Sequence, residues 1–186
     1  MAKRQPSPHK RLTPDTSRTA CVFRTPWGWM EITTSEKGVT SITWSQSNRA
    51  PGRKAPPARA SDGNETSSTL LSEAKTQLVE YLAGKRREFS VPIDMSRGTA
   101  FQRRVWRAIL KIPYGRVQSY QWVAARVGGK QYARAVGMAL GSNPVPIVVP
   151  CHRIVAHDGS LGGFTGGLPM KRRLLKLEGT LAQLEA

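Results

Sequence analysis

The residues best suited to chemistry are Cys151 and His152, which lie in a proline-rich apolar run over residues 143 to 155, NPVPIVVPCHRIV. A thiolate is a strong nucleophile, but a free thiol with a pKa of about 8.5 needs a base or a positive field to ionise near neutral pH. His152 offers the base and Arg153 the positive field. Pro144 and Pro146 cannot continue a central strand, and Pro150 fixes the φ angle just before the cysteine. These prolines predict a bend that turns Cys151 towards a pocket.

Other roles for this cysteine remain open from the residues alone. A cysteine in an apolar run is often only a small buried hydrophobe. The chain has two cysteines and three histidines without the paired spacing of a structural zinc site, so no metal is predicted. A chain of 186 residues can bury a core without a disulfide between Cys21 and Cys151. We therefore expect two free thiols, of which only Cys151 is reactive.

The first half of the chain is predicted to form a small sheet covered by a helix. Apolar and polar residues alternate over residues 30 to 44 about a central turn, as in an antiparallel hairpin. A helix with an N-cap at Ser68 or Thr69 follows. Its apolar stripe has helical spacing and consists of Leu71, Ala74, Leu78 and Leu82. Residues 89 to 94 are predicted to form one further short strand.

The second half is predicted to be mainly helical. Thr99 and Gln102 form a capping-box pattern at the start of its first helix. The buried stripe of that helix is predicted to be Phe101, Val105, Ala108 and Ile112. Ser119 begins a short helix, a double glycine turns the chain, and residues 131 to 140 form the next helix. Two short helices about a glycine turn predict a helix-turn-helix, with an ordinary helical hairpin as the alternative.

The carboxyl-terminal segments are a glycine-rich stretch and a helix. Residues 159 to 168, GSLGGFTGGL, match neither a dinucleotide-binding nor a phosphate-binding loop, so no cofactor is predicted. They form either a mobile lid whose amides approach a ligand or plain turns. Residues 169 to 178 are predicted to be a helix that ends at Glu178. This acid either holds a histidine in its productive tautomer, as a Cys and His pair requires, or faces solvent.

The chain is strongly basic. It has 29 basic and 12 acidic residues, which gives a net charge of +17, and residues 101 to 186 hold 13 of the basic residues and 3 of the acidic ones. This balance favours a polyanion such as nucleic acid as the partner, although a solvated cationic surface has the same composition. Residues 1 to 19 are predicted to be a disordered basic arm, and residues 45 to 67 a long mobile loop. The chain has no apolar run of membrane-spanning length, so no membrane span is expected. The expected location is the cytoplasm, at the nucleoid in a bacterium, or the nucleus in a eukaryote, and the expected state is a monomer.

Three long segments resemble the O6-alkylguanine-DNA alkyltransferases, also called methylated-DNA-protein-cysteine methyltransferases. These segments are GTAFQRRVWRAILKIPYGRVQSYQWVA, ARAVGMALGSNPVPIVVPCHRIV and DGSLGGFTGGLPMKRRLLKLEG. The resemblance spans roughly residues 23 to 179, interrupted by the predicted loop. It implies an α+β protein of two domains. Residues 20 to 97 would form a small ribonuclease H-like domain, and residues 98 to 186 a mainly helical DNA-binding alkyltransferase domain with the helix-turn-helix and the active-site cysteine.

Members of this family flip an alkylated guanine out of duplex DNA and move the alkyl group irreversibly from O6 to their own cysteine. The resemblance implies that Cys151 is the acceptor, that His152 activates it through a water molecule, and that Glu178 orients His152. It also implies that Tyr120 gives a proton to the leaving guanine. Asn143 would be the hinge between the recognition helix and the active site. O6-methylguanine is the main expected substrate, and O4-methylthymine is a second candidate.

The resemblance also assigns residues that hold the DNA. Arg134 would take the place of the flipped base in the stack. The carbonyls of Cys151 and Ile154 would read the guanine amino group. The amide of Thr165 would donate to O6, and Phe164 would stack on the base. The remaining expected contacts with substrate or DNA are Ala133, Gly137 and Lys171.

Two positions depart from the family pattern. Phe164 stands where many members have tyrosine, and Trp122 replaces a common polar residue in the first helix of the helix-turn-helix. The alternative function is that of the alkyltransferase-like proteins, which bind lesions without catalysis. Those proteins lack the acceptor cysteine, whereas Cys151 is present here.

Overall fold

The computed structural model describes residues 18–45 and 65–184. The predicted arm and the predicted loop therefore lie almost entirely outside the described residues. Both predictions are wrong at their edges, because Thr19 already belongs to the first strand and residues 65 to 67 belong to the first helix.

The amino-terminal sheet has three antiparallel strands in sequence order, β1 (Thr19–Thr25), β2 (Gly28–Ser35) and β3 (Gly38–Ser45). Ile32 pairs with Cys21 on one side and with Ile42 on the other. Alternation along the strands buries one face, on which Met30, Ile32 and Ile42 are almost completely inaccessible to solvent. The predicted hairpin is confirmed.

Helix α1 (Glu65–Leu82) packs on this sheet. The predicted stripe is confirmed, with Ala74, Leu78 and Leu82 buried and Leu71 packed against the core. The predicted N-cap at Ser68 or Thr69 is wrong, because the helix begins earlier. The Thr34 hydroxyl donates to the carbonyl of the buried Ser67 at 3.0 Å, and this contact holds the first turn on the sheet.

The predicted strand over residues 89 to 94 is reduced to a single bridge. Ile93 pairs with Val39, whose N–H donates to the Pro92 carbonyl at 2.9 Å. Pro92 has no N–H of its own, so a longer ladder cannot form there.

The carboxyl-terminal part is mainly helical, which confirms the predicted α+β class. Its helices are α2 (Ala100–Ile109), α3 (Tyr120–Val127), α4 (Ala133–Gly141), α5 (Leu168–Leu177) and α6 (Leu181–Leu184). Two short parallel strands also pair, β4 (Gln118–Ser119) and β5 (Ile154–Val155). Within residues 18–45 and 65–184, no helix is long and apolar enough to cross a membrane.

The capping box of α2 is confirmed, since Thr99 and Gln102 exchange hydrogen bonds of 2.8 and 3.2 Å between side chain and backbone. The buried face of the helix consists of Val105, Trp106 and Ile109. The predicted stripe is confirmed, with Val105 and Ile112 buried and Phe101 and Ala108 packed against the core, although Ile112 lies just beyond the end of the helix. The Trp106 indole N–H donates to the Ala139 carbonyl at 2.8 Å, which fixes the orientation of α2 against α4.

Helices α3 and α4 form the predicted helix-turn-helix. The Ser119 hydroxyl caps α3 by accepting from the Trp122 N–H at 3.1 Å. Gly128 and Gly129 then turn the chain with φ angles of 156° and 135°, which favour glycine. A short 3-10 turn over Lys130–Tyr132 precedes α4, so the second helix begins slightly later than predicted.

Candidate active site

The run over residues 143 to 155 folds as a series of tight turns. The Cys151 N–H donates to the Val149 carbonyl at 2.8 Å, and a 3-10 turn begins at Cys151. Ile147 has a φ of 76°, which is rare for a β-branched residue and marks how sharply this backbone is bent. The predicted bend is confirmed. It leaves Cys151 lining a cavity, whereas His152 is completely buried.

The cavity beside Cys151 lies between α4 and the glycine-rich stretch and has a volume of about 350 Å³, within the range of small-molecule pockets. It is also lined by Tyr120, Gly137, Leu140, Gly141, Gly163, Phe164 and Thr165. The Thr165 hydroxyl donates to the Gly141 carbonyl at 2.8 Å and ties the glycine-rich stretch to α4. The Tyr120 hydroxyl donates to the Gly163 carbonyl at 3.4 Å. Four of the predicted site residues, Tyr120, Gly137, Phe164 and Thr165, thus meet at the cysteine.

Asn143 contacts the sulfur directly. Its Nδ2 donates to Cys151 Sγ at 3.1 Å and to the Val149 carbonyl at 2.9 Å, while its Oδ1 accepts from the Val145 N–H at 3.0 Å. The side-chain amide of Asn143 therefore fixes both the turn that precedes Cys151 and the position of the Cys151 thiol. Because Nδ2 is a donor, it stabilises the thiolate more than the thiol.

Glu178, at the end of α5, is buried among hydrogen-bond donors and is only 5% exposed. Its carboxylate accepts from His152 Nε2 at 2.9 Å, from Arg153 Nε at 3.0 and 3.1 Å, and from Arg153 Nη2 at 2.8 Å. The Tyr81 hydroxyl and the Gly115 N–H also donate to it. The alternative of a solvent-facing Glu178 is therefore wrong.

The charge state of Glu178 decides how His152 is protonated. Burial alone would raise the pKa of Glu178, but the hydrogen bonds from His152 and Arg153 and the positive charge of Arg153 outweigh burial and lower this pKa to about 2. The ionised carboxylate can only accept, so Nε2 of His152 carries the hydrogen. Burial lowers the pKa of His152, which is therefore neutral at pH 7. Its Nδ1 is buried, makes no hydrogen bond with any residue that the structure describes, and can accept a proton.

Acid is expected to destabilise the protein as Glu178 becomes protonated. The folded-state pKa of about 2 lies below the ordinary value of 4.5, so the folded protein binds this proton less readily than the unfolded chain does. The stability that Glu178 contributes is therefore present above about pH 5 and is lost progressively towards pH 2. Denaturant unfolding at stepped pH measures this loss. Glu178→Gln should show a shallower acid dependence, and an equal dependence in both proteins would contradict the assignment.

Cys151 is protonated at rest. Burial raises the pKa of its thiol, and the hydrogen bond from Asn143 and the charge of Lys171 only partly oppose that effect. The sulfur becomes a strong nucleophile only after its proton is taken up by a base. Neutral His152 is suited to this task.

Lys171 is completely buried, and its predicted contact with substrate or DNA stays a prediction. Its Nζ donates to the carbonyls of Ile154 and Leu161, and burial lowers its pKa to about 8. Lys171 supplies the positive field at Cys151 that the sequence suggested for Arg153. The carbonyl of Ile154 has two lone pairs, so it can accept from Lys171 and still accept from guanine. Its contact with guanine stays a prediction.

The surface beside the cavity belongs to the helix-turn-helix. Arg134 is exposed on α4, one turn before Gly137, and Ala133 is half-buried next to it. Trp122 on α3 stacks with Arg126, whose guanidinium carbon lies 3.4 Å from the ring centroid. The unusual tryptophan therefore forms a cation-π pair within its own helix.

Tyr81 is a residue of the site that the sequence analysis missed. It is completely buried, and its hydroxyl lies 3.4 Å from His152 Nε2 as well as donating to Glu178. Tyr81 lies three residues after Leu78 on the buried side of α1. A tyrosine at a buried position needs a polar partner for its hydroxyl. This requirement could have indicated from the sequence that Tyr81 contacts a buried polar group.

The fold and the site define an α+β protein that presents a buried cysteine next to a helix-turn-helix. Two family models match the chain, the ribonuclease-like domain of 6-O-methylguanine DNA methyltransferase at residues 21–95 and its DNA binding domain at residues 100–180. The chain belongs to the 6-O-methylguanine DNA methyltransferase family, which confirms the resemblance.

Individual relatives agree with this assignment. The constitutive methylated-DNA–protein-cysteine methyltransferase of Bacillus subtilis is 39% identical over 83% of this chain and 91% of its own length. The Mycobacterium tuberculosis methyltransferase is 51% identical over 58% of this chain, a match that spans 65% of the relative's length. The structure of Mycobacterium tuberculosis OGT in complex with DNA is similar with a TM-score of 0.72 and 38% identity, over 90% of this chain and 96% of that one.

Proposed function

We propose that this protein repairs DNA by transferring the alkyl group of O6-alkylguanine, chiefly O6-methylguanine, to Cys151. The observation that carries the proposal is the cavity in which Cys151 Sγ accepts a hydrogen bond from Asn143 at 3.1 Å. Behind it, His152 and Glu178 form a buried pair at 2.9 Å. The DNA-bound structure of a relative that is 38% identical supports DNA as the partner.

The reaction needs no co-reactant. The thiol proton passes to Nδ1 of His152, through a water molecule as in the family, while Glu178 holds the Nε2 hydrogen. Sγ then forms a bond to the alkyl carbon as the bond from that carbon to O6 breaks, and the bonding electron pair stays with guanine. Tyr120 gives its hydroxyl proton to the leaving guanine. The proton held by His152 then restores the hydroxyl of Tyr120. At the end of the reaction, Sγ carries the alkyl group and guanine has gained a proton. The thiol has been consumed, so each protein molecule acts once.

The alkylated base must leave the duplex to reach this cavity, because a stacked base cannot approach a buried sulfur. Helix α4 is the element that would enter the groove. Ala133 and Gly137 are small enough for close approach, and the exposed Arg134 would fill the space of the flipped base. The net charge of +17 supports the phosphate contacts that hold the duplex.

Mass spectrometry after incubation with duplex DNA carrying one O6-methylguanine tests the proposal. The peptide that contains Cys151 is expected to gain one methyl group, and repair should stop at one lesion per protein molecule. Binding of the lesion without modification of Cys151 would overturn the proposal in favour of a lesion-marking protein.

Arg134→Ala is expected to slow repair in duplex DNA by about tenfold or more, since flipping a base costs a few kcal/mol. Transfer from free O6-benzylguanine, which requires no flipping, should change little. Single-turnover rate constants for the two substrates measure the difference. Arg126→Ala, which removes the same charge from α3, is the matched control and should have a smaller effect on duplex repair. Equal losses on both substrates would contradict the role of Arg134.

A further inference from the structure

We propose that Trp44, in the amino-terminal sheet, positions Phe164 as a wall of the base pocket and thereby limits the size of the alkyl group that is accepted. The inference rests on the proposed function and deepens it. It assigns a role in substrate selection to a residue that lies outside the part of the chain that carries the cysteine and the helix-turn-helix.

Trp44 stacks on Phe164. Their ring centroids lie 5.8 Å apart and their planes differ by 18°, which is an offset-stacked geometry. Phe164 lines the cavity with Cys151, whereas Trp44, at the end of β3, is not one of the residues that line it. The indole therefore supports Phe164 from outside the pocket.

A second contact fixes the same segment. A Cβ atom at Gly166 would lie 1.6 Å from Trp44 Cζ2, so only glycine lets the indole lie against this backbone. On the other side, the Thr165 hydroxyl is bound to the Gly141 carbonyl of α4 at 2.8 Å. Residues 164 to 166 are thus held between the amino-terminal sheet and α4, and the wall that Phe164 forms has a set position.

A fixed wall selects by size. A methyl group adds little to the volume of the flipped base, whereas a benzyl group adds a second aromatic ring to a cavity of about 350 Å³ that Phe164 lines. Any displacement of Phe164 by that ring would break the stacking on Trp44, so Trp44 opposes it. The loss of one aromatic pair corresponds to roughly a two- to tenfold change in a rate constant.

The test is the ratio of the single-turnover rate constants for O6-benzylguanine and O6-methylguanine in the same duplex. Trp44→Leu removes the stacking ring but keeps an apolar side chain, and it is expected to raise this ratio by about two- to tenfold. Trp44→Phe retains a ring, preserves the fold, and should give an intermediate ratio. A simple loss of stability would slow both reactions alike and leave the ratio unchanged.

Trp27→Leu is the matched control. Trp27 also belongs to the amino-terminal part and also contacts the carboxyl-terminal part, since the Arg173 guanidinium carbon lies 4.1 Å from its ring centroid. Among the described residues, the ring that stacks on Phe164 belongs to Trp44, and the atoms nearest to a Cβ at Gly166 also belong to Trp44 and not to Trp27. The ratio for Trp27→Leu should equal that of the wild-type protein.

A wild-type ratio in every folded Trp44 variant would overturn the inference while leaving the proposed function intact. A wild-type protein that never methylates Cys151 would overturn the proposed function itself. A ratio that rises equally in the Trp44 and Trp27 variants would also contradict the inference, because the effect would then come from the contact between the two parts and not from the wall of the pocket.

Discussion

Cys151→Ala is expected to bind duplex DNA that contains O6-methylguanine and to transfer no methyl group. Alanine lacks the sulfur that forms the new bond, and the substitution removes one atom from a cavity whose other lining residues stay in place. Intact-mass measurement should show no methylated protein after any incubation time. A binding titration should give a dissociation constant close to that of the wild-type protein.

Cys21→Ala is the control for this experiment. Cys21 is the other free thiol of the chain and lies on β1, pairing with Ile32 in the sheet. This variant should still gain one methyl group per molecule. Methylation of Cys151→Ala would mean that another residue is the acceptor, and the proposed mechanism would be wrong.

Glu178→Gln is expected to lower the free energy of unfolding by about 3 kcal/mol, because it leaves the Arg153 guanidinium buried without a counter-charge. Glutamine keeps the size and shape of glutamate, so the effect reports the loss of the charge and of one hydrogen-bond acceptor. Alkyl transfer should also slow, since His152 loses the anionic acceptor of its Nε2 hydrogen. Denaturant unfolding at pH 7 and single-turnover kinetics measure the two effects.

Glu80→Gln provides the matched comparison. Glu80 pairs with Arg86 at 2.7 Å, but the two side chains are 39% and 31% exposed. Exposed pairs contribute less than about 1 kcal/mol, so this variant should unfold almost as the wild-type protein does and transfer alkyl groups normally. If the two substitutions lowered the free energy of unfolding equally, the buried cluster around Glu178 would not stabilise the protein as its geometry indicates.

The local elements were predictable because their signals lie within a few residues of one another. The alternation about Ile32 and Ile42 predicted the hairpin, and Thr99 with Gln102 predicted the start of α2. The prolines around Cys151 predicted a bend. Where tertiary contacts overrode local preference, the predictions were wrong, as for the start of α1, which the contact between Thr34 and Ser67 moves towards the amino terminus.

The sequence by itself determined the α+β class, the reactive candidate Cys151 and, through resemblance, its family. Only the tertiary structure decided how the thiol is controlled. Tyr81 and Glu178 are 97 positions apart in the chain and still share a hydrogen bond. The burial of Lys171 and the stacking of Trp44 on Phe164 likewise depend on distant segments. Periodicity and capping motifs report only neighbours along the chain, whereas burial and the pKa of a side chain depend on every segment that packs around it.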